Sequence, residues 1–222
     1  MVTLPSISRC GIVLLAGLLT LAAAPAFPQP PKSRAAALAA LASAETTARM
    51  EAIVWLANYG AMTDAPLLHE RLRDESALVR EYAEDGLWAL WSRSGDGAID
   101  KLMARGVDEM QAGNHKAAIA TFSEVVKRKP EFAEGWNKRA TVHYLAGDYK
   151  RSIADCDQVL KRNPGHFGAV SGVGQIYIKL EEYEQALAWL RRALEINPNM
   201  LGVEINIKGI EELLKSRRRH AT

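Results

Sequence analysis

Small and apolar residues recur every 34 positions between residues 99 and 200. Four positions of the repeat show this spacing, each filled once in every copy: Gly106, Ala140 and Gly174; Ala118, Ser152 and Ala186; Phe122, Cys156 and Leu190; Val125, Val159 and Ala193. Each copy also ends at a proline: Pro130, Pro164 or Pro198. A period of this length predicts stacked repeats that bury their apolar faces against one another.

The spacing within each copy predicts two helices that pack together. Trp136, Ala140 and His143 lie at positions i, i+4 and i+7, which places them on one face of a helix. The shared glycine or alanine position in the first helix predicts a close approach of the second, because a larger side chain would push the two apart. The closing proline cannot continue a helix, so it ends the second one.

The stretch Ala133–Pro164, AEGWNKRATVHYLAGDYKRSIADCDQVLKRNP, resembles the tetratricopeptide repeat. The other copies follow in register, so the resemblance covers three units at 99–200, within a predicted domain over residues 96–200. It implies an all-α, right-handed solenoid of antiparallel helix pairs. It also implies that the first helix of each pair lines a concave groove in which an extended polypeptide lies.

A weaker repeat precedes this domain. Residues 36–60 align with residues 67–91 at an offset of 31, and the stretch Leu72–Leu90, LRDESALVREYAEDGLWAL, resembles a HEAT-type helical pair. We therefore predict HEAT-like helical pairs over residues 34–95, at the start of the solenoid.

The boundary between the two modules is predicted within Ser92–Gly97, where the period changes. Because this segment is short, the modules are expected to stack continuously. Trp88 and Trp91 lie three residues apart on one helical face just before it. They are predicted to form the core between the modules, and a ligand platform is the alternative.

A further amphipathic helix is predicted from Leu201 to Arg218, within a capping and tail segment over residues 201–222. Its apolar positions are expected to cover the open end of the last repeat, as terminal caps do: Val203, Ile205, Ile207, Ile210, Leu213 and Leu214. The tail that follows carries Arg217, Arg218 and Arg219. Such charge runs are usually solvated, and weak contact with anionic lipid at a membrane surface is the alternative.

The first 26 residues are typical of an export signal. Cys10–Ala24 is a run of 15 residues without charge, and Ala24 and Ala26 are small residues suited to a cleavage site. This predicts an exported, periplasmic protein, with an uncleaved anchor in the inner membrane as the alternative. Residues 27–33, FPQPPKS, contain three prolines and are predicted to be an extended tether.

Charge and cysteine content narrow the function classes. The chain has 28 Lys and Arg against 26 Asp and Glu, a net charge of +2. It therefore lacks the concentrated basic field of nucleic-acid binders, so no nucleic-acid partner is predicted. Cys156 is the one cysteine after the predicted signal, and it shares its repeat position with Phe122 and Leu190. Burial is predicted, with pairing to another chain or a reactive role as alternatives.

Motifs for catalysis are incomplete. His69–Arg73, HERLR, begins like a zinc-protease helix but carries Arg73 where the second histidine belongs. Gly172–Tyr177, GVGQIY, imitates a phosphate-binding loop but falls where a repeat helix is expected. The histidines lie in different repeat positions without metal-ligand spacing. We predict that the protein is not an enzyme and has no cofactor or metal.

By register with the family, twelve side chains of the first helices are predicted to line the groove: Met103, Val107, Met110 and Gln111; Asn137, Thr141, Tyr144 and Leu145; Ser171, Gln175, Ile178 and Lys179. Methionine and tyrosine offer adaptable apolar contact, and asparagine, threonine and glutamine offer hydrogen bonds to a partner backbone. Coverage of some of these side chains by the protein's own N-terminal helices is the alternative.

Family members that clamp a C-terminal carboxylate carry Lys and Asn early in the first unit and basic residues in the third. Here Met103 and Val107 occupy the first set of positions, and Gly168 and Gly172 the second. The clamp is therefore not expected. The predicted function is an exported scaffold that binds a protein or peptide segment in its groove through apolar and neutral polar contacts. A structural subunit that self-associates along the solenoid is the alternative.

Overall fold

The computed structural model describes residues 30–220, and this part of the chain is helical throughout, without a β-strand. Its α-helices are α1 (Arg34–Leu41), α2 (Thr46–Tyr59), α3 (Ala65–Arg71), α4 (Ala77–Ser92), α5 (Gly97–Gln111), α6 (His115–Arg128), α7 (Ala133–Leu145), α8 (Tyr149–Arg162), α9 (Phe167–Lys179), α10 (Tyr183–Ile196) and α11 (Leu201–His220). The predicted all-α, solenoid-like repeat fold is confirmed. The predicted signal, with Ala24 and Ala26, and the first residues of the tether lie outside the described residues.

Three helix pairs build the repeat domain: α5 with α6, α7 with α8, and α9 with α10. Each connection contains one residue in the left-handed region, Gly113 (φ 73°), Gly147 (φ 76°) or Glu181 (φ 60°). The amide after it bonds back into the helix, as from Glu182 N–H to the Tyr177 carbonyl at 2.9 Å. Helices that pack together across such short connections must run antiparallel, as predicted.

Small residues stand where two helices of a pair touch. A Cβ atom at Gly106 would lie 2.6 Å from the ring of Phe122, and one at Gly174 would lie 2.7 Å from Leu190 Cδ2. Both partners are fully buried. In the middle repeat, Ser152 Oγ donates a hydrogen bond to the carbonyl of Ala140 at 2.8 Å. These contacts explain why glycine or alanine occupies the first-helix position in each repeat.

The N-terminal module, α1 to α4, has its own apolar core. In this module α1 and α4 pack on α2, and α3 packs on α4. A buried ion pair between Arg49 and Asp74, at 2.8 Å, ties α2 to the turn between α3 and α4. Helix pairs of this kind are not specific to one family, so the HEAT-like resemblance stays a prediction.

The N-terminal module packs against the second and third repeats. Its core takes in Phe167 at the start of α9, and Ile196 and Met200 pack against it. Polar contacts join the same surfaces: Asn199 Nδ2 donates to the Leu72 carbonyl at 2.8 Å. The module thus folds back over the later repeats, which differs from the continuous stack that the short boundary predicted. The module docks there because the large side chains at the end of α4, Trp88 and Trp91, pack against residues at the start of α9.

Trp88 and Trp91 form the core between the modules, as predicted. Trp91 is 3% exposed, and its ring stacks on that of His166 with centroids 4.4 Å apart. The Trp88 ring meets the rings of His166 and Phe167 edge-on at 5.3 and 5.4 Å. A Cβ atom at Gly168 would lie 2.4 Å from the Trp88 ring. Glycine at this position therefore lets α4 lie directly against α9.

A buried histidine–carboxylate pair lies next to this aromatic core. His166 Nε2 is 3.1 Å from Glu134 Oε2, and both side chains are fully buried. His166 Nδ1 accepts the backbone N–H of Ala169, so the ring proton lies on Nε2 and is donated to the carboxylate. Burial opposes ionisation of Glu134, but this bond, with Lys138 and Asn137, outweighs it and lowers the pKa of Glu134.

The last helix, α11, packs against α10 through Val203, Ile207 and Ile210. Two members of the apolar set predicted for this contact do not join it, since Ile205 is 58% exposed and Leu213 is 37% exposed. The helical period explains the error, because Ile205 lies on the side of the helix opposite the buried stripe and Leu213 lies at the edge of that stripe. No helix within residues 30–220 is long and apolar enough to cross a membrane.

Candidate functional site

The twelve side chains predicted to line the groove differ in how far solvent reaches them. Three are buried, namely Met103, Asn137 and Ser171; four are partly buried, namely Val107, Met110, Tyr144 and Ile178; five are exposed, namely Gln111, Thr141, Leu145, Gln175 and Lys179. The buried side chains make contacts within the protein, so an incoming polypeptide meets mainly the other nine.

The donor groups of the buried polar residues already have partners. Asn137 Nδ2 donates to both carboxylate oxygens of Glu134, at 3.2 and 3.1 Å. Ser171 Oγ donates to the carbonyl of Gly168 at 3.1 Å. Met103 packs in the core of the first repeat. These hydrogen bonds of Asn137 and Ser171 lie within α7 and within α9, so the two side chains are engaged by their own helices.

The N-terminal module covers one end of the predicted groove. Trp88 lies on Gly168, in the first turn of α9, and Glu84 lines a cavity together with Ser171. The N-terminal module therefore lies over the beginning of α9, the first helix of the third repeat, which is the place where the alternative of self-coverage applies. The later turns of α7 and α9 remain accessible at Thr141 and Gln175.

Two cavities lie along this accessible part. The first, of about 190 Å³, lies among α7, α8 and α9 and brings together four predicted residues: Asn137, Thr141, Tyr144 and Gln175. The second, of about 620 Å³, is lined by α9, α11 and Glu84 of α4. Gln175 lines both, so the cavities adjoin. The predicted residues of the first repeat line neither, and the same holds for Leu145, Ile178 and Lys179.

Leu201 and Ile205 of α11 belong to this surface and were missed in the sequence. They line the second cavity and are 67% and 58% exposed. A signal for Ile205 was present, since it follows Ser171 by one period of 34 residues and so occupies a groove-lining position. The prediction of a cap with one apolar face rests on the apolar pattern of the helix and leaves out its register with the repeats. Glu84 reaches the second cavity only because the N-terminal module docks there, so no nearby sequence pattern predicts it.

Comparison with known sequences identifies the repeat. Sequence models of the tetratricopeptide repeat match residues 103–166 and residues 143–201. The chain is a tetratricopeptide-repeat (TPR) protein. A TPR repeat-containing protein of Rhizobium etli is 33% identical over 55 residues, which make up 25% of this chain and 27% of that protein. The match therefore spans about a quarter of the relative.

Solved TPR domains share the fold of the repeat region. The Sgt2 TPR domain from Aspergillus fumigatus has a TM-score of 0.53 at 17% identity, covering 57% of this chain and 85% of that chain. The first TPR of Spaghetti (RPAP3), bound to the HSP90 peptide SRMEEVD, has a TM-score of 0.50 at 20% identity, with coverages of 53% and 93%. At identities this low, the similarity to these solved domains concerns the fold alone.

The lining of the TPR groove is nearly uncharged. Among the side chains that line the two cavities, Glu84 alone carries a charge, and one of its carboxylate oxygens accepts a hydrogen bond from Asn197 at 2.9 Å. The remainder are small, apolar or neutral polar groups. A charged ligand side chain would find no opposite charge among these lining residues except through Glu84, so the surface suits uncharged polypeptide.

Cys156 lies at the inner side of the first cavity and is buried, as predicted. Burial raises the pKa of its thiol to about 12, so the sulfur stays protonated at neutral pH. It contributes a small apolar surface to the TPR core. Within residues 30–220, no three His, Cys, Asp or Glu side chains are grouped to hold a metal ion. That the protein lacks enzymatic activity stays a prediction.

Proposed function

We propose that this TPR protein is a scaffold that holds an extended, uncharged polypeptide segment in the part of its groove left open by the N-terminal module. The observation that carries the proposal is the pair of adjoining, almost uncharged cavities that share Gln175. Thr141 and Gln175 supply hydrogen-bonding groups for a peptide backbone, while Tyr144 and Ile205 supply apolar contact.

A TPR domain of the same fold holds a peptide, which supports the proposal in general terms. The peptide bound by the first TPR of Spaghetti, SRMEEVD, carries two glutamates and an aspartate. In this chain apolar residues or glycines stand where a carboxylate clamp would need Lys, Asn or Arg, and Glu84 adds a negative charge. We therefore infer that the partner segment differs from such acidic peptides.

Two matched peptides test the charge preference. SRMEEVD is compared with SRMQQVN carrying an amidated C-terminus, so that the shape is kept and the carboxylates are removed. We expect the amidated peptide to bind at least about tenfold more tightly, a difference of about 1.4 kcal/mol, because it leaves no carboxylate unpaired. Fluorescence polarisation with the purified protein measures both dissociation constants. Tighter binding of the acidic peptide would overturn the inferred chemistry.

A double variant tests the location. Tyr144→Ala with Gln175→Ala is expected to weaken binding of SRMQQVN-amide at least about tenfold and to leave the melting temperature unchanged, because neither side chain is buried. Leu145→Ala is the matched control, since Leu145 is exposed beside Tyr144 but lines neither cavity. An equal loss with the control would place the binding surface elsewhere.

Self-association remains a second candidate because α11 leaves Leu201 and Ile205 exposed at the end of the repeats. A second copy that stacked on this helix would cover both side chains. Light scattering of the protein at micromolar concentration distinguishes the candidates. A stable monomer counts against the assembly, whereas a dimer that Ile205→Asp dissociates would support it.

We further propose that the protein is exported to the periplasm and cleaved after Ala26, with the uncleaved inner-membrane anchor as the alternative. The uncharged stretch Cys10–Ala24 and the small residues Ala24 and Ala26 support this proposal. The intact mass of the chain from a bacterial envelope fraction tests it. A chain that begins at Phe27 is expected, and a full-length chain would favour the anchor.

Contact of Arg217, Arg218 and Arg219 with anionic lipid stays a prediction. The guanidinium of Arg217 lies 4.9 Å from the centroid of the Tyr183 ring and 3.7 Å from the Glu181 carboxylate. A lipid headgroup would have to compete with these contacts for Arg217.

A further inference from the structure

A third cavity, of about 700 Å³, lies on α2 and shares no residue with the TPR groove. One wall is a single face of the helix, formed at successive turns by Glu51, Val54, Trp55, Asn58 and Tyr59. The other wall is the chain segment Pro30–Lys32. Its volume lies in the range of cavities that hold ligands, and nothing in the proposed peptide scaffold makes use of it.

The helix wall exposes an aromatic ridge formed by Trp55 and Tyr59, with Val54 beside it. Tyr59 is 72% exposed and Val54 is 44% exposed. The rings of Trp55 and Tyr59 lie with their centroids 5.4 Å apart and their planes at 45°. Adjacent, inclined aromatic rings leave a hydrophobic notch between them, and the flat side of a proline ring can fill such a notch.

The same wall contains an unpaired acceptor. Glu51 Oε2 is shielded from solvent and has no hydrogen-bond donor among residues 30–220. A shielded carboxylate oxygen without a donor is costly, so this position favours a ligand that brings a cationic N–H group. The Asn58 amide is oriented by a hydrogen bond from Nδ2 to the Val54 carbonyl at 2.9 Å. Its oxygen therefore presents a second acceptor on this helix face.

The opposite wall of the cavity is itself rich in proline. Pro30, Pro31 and Lys32 border the cavity beside the aromatic residues. Proline-rich segments adopt the extended polyproline II conformation before they bind, so they lose little conformational entropy on docking, and their backbone carbonyls remain free to accept hydrogen bonds.

We propose that this face of α2 is a second binding site, which takes a proline-rich segment of a partner protein that carries a lysine or arginine. The proline rings pack on Trp55 and Tyr59, and the basic side chain donates to Glu51. The cavity would bring a second polypeptide to the N-terminal module while the TPR groove holds the first. The molecule thus joins two partners of different chemistry.

The charge of the peptide provides the test. The probes are the acetylated and amidated peptides PPPKPPP and PPPEPPP, and binding to the full chain is followed by fluorescence polarisation. We expect the lysine peptide to bind at least tenfold more tightly than the glutamate peptide. Glu51→Lys should reverse this order. The proposal would be overturned if the unsubstituted protein did not prefer the lysine peptide. It would also be overturned if Glu51→Lys still preferred the lysine peptide.

Aromatic substitutions test the ridge. Tyr59→Ala is expected to weaken PPPKPPP binding at least tenfold without a change in the circular dichroism spectrum, because the side chain is largely exposed. Tyr82→Ala removes an exposed tyrosine of α4 that does not line this cavity and serves as the control. Equal losses in the two variants would contradict a site on α2.

Two outcomes would assign the ridge to this chain's own sequence and overturn the proposal of a partner. If PPPKPPP binds only when Pro30→Ser and Pro31→Ser are introduced, the chain's own prolines occupy the site. If light scattering shows a dimer that Tyr59→Ala dissociates, a second copy occupies it.

Discussion

Gly174→Leu is expected to lower the free energy of unfolding by about 3 kcal/mol or more, the upper end of what overpacking costs. A Cβ atom at this position would lie 2.7 Å from Leu190 Cδ2 and 3.3 Å from the backbone nitrogen of Leu190. Leu190 is fully buried on α10, so it cannot turn away without opening the third repeat. Urea unfolding followed by circular dichroism measures the loss. Neighbouring repeats should loosen with it, because each buries its apolar face against the next.

Gly172→Leu is the matched control. Gly172 is on the same helix two residues earlier, and a Cβ atom there would meet nothing within 4 Å. Helix propensity favours leucine over glycine by roughly 0.5 to 1 kcal/mol, so stability should stay constant or rise. The new side chain would enter the first cavity of the groove and should weaken binding of SRMQQVN-amide. A similar loss of stability in both variants would show that the contact with Leu190 is not the cause.

His166→Ala is expected to cost about 3 kcal/mol or more, because a hydrogen bond to an ionised carboxylate is worth about 1.5 to 3 kcal/mol and the packing of a buried ring is lost with it. The substitution takes away the donor to Glu134, the acceptor for the Ala169 amide and the ring that stacks on Trp91. It therefore weakens the start of α9 and the contact between the modules together. Near-ultraviolet circular dichroism should show a weaker tryptophan signal, because Trp88 and Trp91 lose a ring contact, and urea unfolding should give the change in stability.

A double-mutant cycle with Glu134→Gln separates the charge from the packing. A glutamine at position 134 carries no charge, so removal of His166 no longer leaves a buried carboxylate without its donor. The loss of stability on removing His166 should therefore be smaller in that background. We expect a coupling energy of about 1 to 3 kcal/mol between the two positions. Additive effects, within about 0.5 kcal/mol, would mean that His166 stabilises the protein through its packing and its bond to the Ala169 amide, and not through Glu134.

The helices of the repeat domain could be predicted because their signals are local and repeated. Gly106 and Gly174 mark close helix contacts, and Pro130 and Pro164 mark helix ends, at the same distance in every copy. The Glu181 turn shows that the period carries more information than the turn residue, since a non-glycine residue takes the same left-handed conformation. Periodicity also placed Cys156 in the core correctly.

The candidate groove was predicted less completely. Register placed Thr141 and Gln175 on the accessible surface, but it could not show that Asn137 and Ser171 bond within the protein. The position of Ile205 followed from the same register and was overlooked. Which end of the groove is covered depends on contacts between residues more than 70 positions apart, such as Trp88 with Gly168. A repeat pattern contains no information on contacts of that kind.

The sequence by itself determined the repeat, its helix pairs and the family, because each unit specifies its own hairpin through nearby residues. Tertiary structure decided where the N-terminal module docks, and with it which end of the groove is covered. The physical reason is that docking depends on complementary surfaces, here the indole rings of α4 against Gly168 and His166. Such a fit needs both surfaces at once, so no single stretch of the sequence specifies it.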